Sequence, residues 1–184
     1  MSGMHFLIGC RTENFVILAS DKAAFAYGAV SVSKDDNKNV KLGEKLYMSC
    51  IGEAGDVNNF SDWAQRNLSL YKMRNTYELS PYATHFWLRK SIAEALRSEN
   101  YWPQLIIWEM ELNQQNYLFR GFTGRFCYAI MDTLYRPDMT LEEAMDAVKQ
   151  CIQESKKRFV ANLPSFNVIV IDKEGAHHCE DIRV

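Results

Sequence analysis

Short uninterrupted apolar runs dominate the first quarter of the chain. Phe6-Leu-Ile-Gly-Cys10 and Phe15-Val-Ile-Leu-Ala19 stand on either side of the polar stretch Arg11-Thr-Glu-Asn14. Runs of that length joined by turn-forming residues predict a β-hairpin, closed at its end by Asp21. Lys45-Leu-Tyr-Met-Ser-Cys-Ile51 has the pattern of a buried strand and runs into Gly52-Glu-Ala-Gly-Asp56. The glycines predict a turn there, with Asp56 capping the helix that follows.

Beyond Asp56 the period changes. Phe60, Trp63, Ala64, Leu68 and Tyr71 recur at helical spacing, which predicts one buried face. Ser80-Pro81 reads as an N-cap followed by proline at the first helical position, with Leu88, Ile92 and Leu96 as the buried stripe. Leu105-Ile-Ile-Trp108 and Tyr117-Leu-Phe119 read as strands joined by the polar turn Asn113-Gln-Gln-Asn116, and Phe126 to Tyr135 as a further helix. Thr140-Leu-Glu-Glu143 is a capping box opening a helix whose face is Leu141, Ala144, Met145, Val148, Ile152 and Phe159. Phe166-Asn-Val-Ile-Val-Ile171 is a closing strand, turned by Asp172-Lys-Glu-Gly175. The order of strands, helix pair, strands, helix pair and strand favours stacked sheets flanked by helices over alternating βαβ units. No linker or repeat interrupts it, so residues 1–184 are expected to form a single domain, with 176–184 as a possible C-terminal tail.

Composition narrows the function classes. The net charge is −2, and no basic block or stripe suggests nucleic acid as a partner. No run approaches the ~18 apolar residues of a membrane-spanning helix, and the start lacks a signal-peptide pattern. Five cysteines, at 10, 50, 127, 151 and 179, are scattered and mostly embedded in apolar patterns. They are expected to be buried free thiols in a reducing compartment. His177-His178-Cys179, followed by Glu180 and Asp181, has the residue types of a metal site. In a strand, however, only His177 and Cys179 share a face, and two ligands fall short of a four-ligand zinc site. An exposed tail is the expectation there.

The hairpin, Asp21, Lys38 and the Gly-x-x-Gly-Asp turn occur in the order found in β subunits of the 20S proteasome. Further blocks resemble the type-2 branch of that family, which fills the fourth position of the eukaryotic β ring: Tyr71-Lys-Met-Arg-Asn75, Glu78-Leu-Ser-Pro81, Lys157-Arg-Phe159, Asn162-Leu-Pro164 and Ile171-Asp-Lys-x-Gly175. The resemblance implies an α+β, four-layer αββα N-terminal-nucleophile hydrolase fold. It also implies partners: other β subunits in a heptameric ring, the α ring and the opposing β ring. Cytoplasm and nucleus are the implied locations.

In active members of the family, an N-terminal threonine freed by cleavage after glycine attacks the peptide carbonyl, tuned by a nearby Lys and Asp. Asp21 and Lys38 match those two positions. Counting back from Asp21 puts the nucleophile's place at Met4 or His5, neither of which fits that chemistry. Thr12 lies in the hairpin turn after Arg11, so there is no Gly-Thr cleavage point. The expectation is a structural subunit with no catalytic, cofactor-binding or metal-binding residue. Asp21 then caps a turn, and Lys38 belongs to a solvated polar loop, Lys34-Asp-Asp-Asn-Lys38. The alternative is a hydrolase using Cys10 after cleavage at Gly9, although that cut would remove most of the first strand. A free-standing binding domain on a borrowed fold is the third reading. One departure from the family stands out: Arg120-Gly-Phe-Thr-Gly124 follows the Tyr117 strand at once, where about a dozen family residues are missing.

Overall fold

Alternation along the strands decides the architecture. The computed structural model describes residues 5–26, 30–98, 104–108, 115–121, 124–159 and 163–183. The predicted hairpin is β1 (Leu7–Arg11) against β2 (Phe15–Asp21), antiparallel with Leu7 opposite Ser20 and Cys10 opposite Ile17. Phe6, Ile8, Cys10, Phe15, Ile17 and Ala19 project to one side, and Leu7, Val16 and Leu18 to the other. Both sets are buried, so this sheet needs cover on each face.

The closing strand β9 (Ser165–Asp172) pairs with β2, and β8 (Tyr117–Arg120) pairs with β1. With β10 (Ala176–His178) and β11 (Ile182–Arg183), both on β9, they complete a six-stranded sheet. A second sheet runs β5 (Asn39–Lys41), β6 (Tyr47–Ile51), β7 (Gln104–Trp108), and β3 (Ala24–Ala26) with β4 (Val30–Ser33) forms a two-stranded ribbon.

Three apolar layers hold the stack together. The outer face of the large sheet meets α3 (Gly124–Leu134) and α4 (Leu141–Arg158) through Cys127, Met131, Ala144, Val148 and Ile152. Within that layer Phe6 packs edge-on to Phe166 at 5.9 Å between ring centroids, a favoured aromatic geometry. Leu7, Leu18 and Ile169 meet Tyr47 and Ile51 between the two sheets. Met48 and Cys50 face the opposite way, onto α1 (Ala54–Asn75) and α2 (Pro81–Ser98) through Phe60, Ala64 and Leu88. Helices, sheet, sheet and helices therefore stack in the predicted order.

Four expectations change. Asp56 is not the cap of α1: the N-cap position is Glu53, whose side chain makes no capping bond, and Asp56 sits inside the first turn. A carboxylate there still favours the positive end of the helix dipole. The strands at 105–108 and 117–119 do not form a hairpin with each other, because β7 joins the small sheet and β8 the large one. Periodicity identifies a strand but not its partner. Residues 176–183 are no free tail, since Ala176 and Ile182 open strands paired to β9 opposite Ile171 and Phe166. Trp63 and Leu141 are exposed, although both sit at helical spacing. Met4, Tyr101, Trp102, Asn113, Gln114 and Asn162 lie outside the described residues.

Candidate functional site

Asp21 is the last residue of β2 and is fully buried. Its Oδ1 accepts the Phe6 backbone N–H at 2.7 Å, and its Oδ2 accepts that of Ala23 at 3.2 Å. Lys38 Nζ donates to the same Oδ2 at 2.9 Å. It also donates to the carbonyls of Asp21 at 2.6 Å and Ala23 at 2.8 Å. Three acceptors use all three ammonium protons. This corrects the solvated-loop expectation: Lys38 is 6% exposed, and its ammonium reaches back into the sheet end from the residue just before β5. A buried Lys needs compensation, and the carboxylate with two carbonyls supplies it. Nothing in the polar run 34–38 distinguishes this lysine from Lys34.

His5 is one of the two positions, with Met4, where the resemblance places the family's nucleophile. Its Nδ1 is 3.6 Å from Asp21 Oδ2, beyond hydrogen-bond reach, and is buried without a partner among the described residues. The ring leans on Phe25, with centroids 6.0 Å apart. Behind it runs the turn after β8. Gly121 has φ +97°, and a Cβ placed there would sit 1.8 Å from the His5 carbonyl oxygen. Only glycine permits both that conformation and that approach. Gly121, the residue after β8, is thus pressed directly against the backbone of His5.

The other candidates are accounted for within the hairpin. Cys10 is fully buried in β1, paired on one side with Ile17 and on the other with Tyr117. Burial pushes its thiol up to about 12, so the thiolate needed for attack is scarce at neutral pH. Thr12 is buried in the turn; its hydroxyl donates to the Phe15 carbonyl at 3.1 Å and accepts the Phe15 N–H at 3.2 Å. Of the metal-type residues, His177 lies 3.1 Å from Asp172 Oδ1 across the β9–β10 turn, while the His178 ring meets Tyr47. Among the described residues no three His, Cys, Asp or Glu side chains converge to hold a metal ion. One polar junction escaped sequence reading: Asn39 accepts from Ser49 and donates to Asn167 Oδ1 at 2.9 Å, joining the two sheets beside Lys38.

A family model described as proteasome subunit matches residues 5–120 and 110–171. The chain belongs to the proteasome subunit family. A relative from Caenorhabditis elegans named proteasome subunit beta type-2 is 49% identical, covering 97% of this chain and 99% of its own length. One from Saccharomyces cerevisiae named proteasome subunit beta type-4 is 35% identical over 98% of this chain and 99% of its own. A rice relative named proteasome subunit beta type-2 is 33% identical over 94% of this chain and 88% of its own. This proteasome subunit is therefore β-type, and it functions as one member of a multi-subunit particle. The nematode alignment runs over 197 positions, more than the 184 residues of this chain, so the relative carries residues missing here. The two family-model matches overlap over residues 110–120, beside the place where the sequence already looked short.

Proposed function

We propose that this proteasome subunit is a structural, non-catalytic β subunit of the 20S core, of the type-2 kind. It takes a place in the heptameric β ring, against ring neighbours, the α ring and the opposing β ring, and walls the proteolytic chamber in cytoplasm and nucleus. The observation that carries this reading is the state of the Asp21–Lys38 pair. The ammonium that would tune a nucleophile in an active subunit has every proton committed to Asp21 and Ala23. The neighbouring side chain is the His5 imidazole, 3.6 Å from Asp21 Oδ2. A charge without a reacting group beside it has no transition state to favour. Cys10 gives the peptidase alternative little support, because cutting at Gly9 would sever β1 between its two partner strands.

Intact mass of this chain, taken from purified assembled particles, tests the proposal. The expected result is a chain uncut at Gly9–Cys10 and at Arg11–Thr12. A chain beginning at Cys10 or Thr12 would overturn the structural reading.

A further inference from the structure

Two of the five cysteines face each other across the helix pair that covers the large sheet. Cys127 is on the inner side of α3 and Cys151 on the inner side of α4, and both are fully buried. The contact is reciprocal: Cys127 Sγ lies 3.5 Å from the Cys151 carbonyl oxygen, and Cys151 Sγ lies 4.0 Å from that of Cys127. Ser155 Oγ, one turn on along α4, is 3.6 Å from Cys127 Sγ. The rest of the surrounding layer is apolar, including Met131, Ala147, Val148 and Ile152. A pair of thiols crossed in this way between two helices is more than two small core residues need.

We propose that Cys127 and Cys151 are a redox pair that peroxide closes into a disulfide, stapling α3 to α4. The Cys127 thiolate attacks one peroxide oxygen, the O–O bond breaks, and hydroxide leaves with the sulfur oxidised to sulfenic acid. The Cys151 thiol then attacks that sulfur and gives its proton to the departing oxygen; the S–S bond forms as the S–O bond breaks and water leaves. Peroxide is reduced to two waters while the two thiols lose two hydrogens. The roles follow from the environment. A hydrogen bond from the Cys151 side chain, aided by Ser155, holds the Cys127 thiol below its ordinary value against burial, whereas the same contact and burial push Cys151 up. With the Ser155 hydroxyl beside its sulfur, Cys127 is the thiol to be oxidised first and Cys151 the one that resolves it. Cys10 borders the same layer but belongs to β1, not to either helix. Hydrogen peroxide is close to water in size and reaches buried sulfur through local openings of the helix layer. Closure would tie together residues on two helices that pack through a largely apolar layer, resisting those same openings.

The test uses assembled particles treated with hydrogen peroxide until Cys179, the half-exposed cysteine of this chain, is fully oxidised. Remaining thiols are alkylated under denaturing conditions and peptides are mapped by mass. The expected product is a peptide pair joined through Cys127 and Cys151, lighter by two hydrogens and restored to two alkylatable thiols by reductant. In Cys127→Ala particles Cys151 should stay alkylatable at the same dose. Full alkylation of both cysteines in the native chain, or a cross-link from either one to Cys10, would overturn the proposal.

Discussion

Replacing Lys38 by methionine removes the ammonium while keeping most of the side-chain volume, and it isolates the energetic role of the buried pair. Asp21 would then be a fully buried carboxylate without a counter-charge, retaining only the N–H groups of Phe6 and Ala23. Breaking a buried pair from one side costs about 3–5 kcal/mol, and the two remaining donors place this case at about 3 kcal/mol. An exposed pair, as a solvated loop would have given, is worth about 0–1 kcal/mol. With a urea slope of about 2 kcal/mol per molar, the midpoint should fall by about 1.5 M. Tryptophan fluorescence during urea unfolding of the purified chain measures it, and incorporation in competition with the native chain gives a second readout. Asp21→Asn combined with Lys38→Met should recover much of the loss, because no buried charge is left unpaired. Peptidase activity per assembled particle should stay unchanged in both. A midpoint shift under about 0.5 M for Lys38→Met would refute the buried-pair energetics. A several-fold loss of turnover in fully assembled particles would refute the non-catalytic role.

Gly121→Ala should block folding or assembly, at a cost on the order of 4 kcal/mol, since its Cβ collides with the His5 carbonyl at a positive φ; recovery of soluble particle containing the variant checks this. Thr140→Ala removes the cap that accepts the Glu143 N–H and should lower stability by about 1 kcal/mol, read from denaturant midpoints. The Thr140 N–H and Arg136 hold the Glu143 carboxyl below its ordinary value. A depressed carboxyl contributes stability above its unfolded value and loses it as pH falls through the folded one, so the deficit of Glu143→Gln should shrink below about pH 4.5. At the end of α1, the Tyr71 and Tyr77 hydroxyls meet at 2.9 Å on a surface where Tyr77 is 59% exposed. Tyr71→Ala with Arg74→Ala should reduce incorporation into particles more than it lowers the melting temperature of the free chain; unchanged incorporation with early melting would assign these residues to the core.

Much of the layering was legible because strands buried on both faces leave continuous apolar runs, as β1, β2 and β6 do, while one-sided helices leave stripes such as Ala144, Val148 and Ile152. The Thr140 capping box and the Asp172–Gly175 turn were equally legible, since each is a local hydrogen-bond pattern spanning three or four residues. What the sequence by itself determined about this protein was therefore its longer strands, its helices and their order. Only the tertiary structure decided which strands became partners, sending β7 and β8 to different sheets and drawing 176–183 onto β9. Only the tertiary structure, too, turned Lys38 from one charge in a polar run into the counter-ion of Asp21, and set Cys127 against Cys151. These outcomes depend on contacts between residues 15 to more than 100 positions apart. Local pattern carries no record of such contacts, because the energy that selects them comes from burial and pairing after the chain has closed on itself.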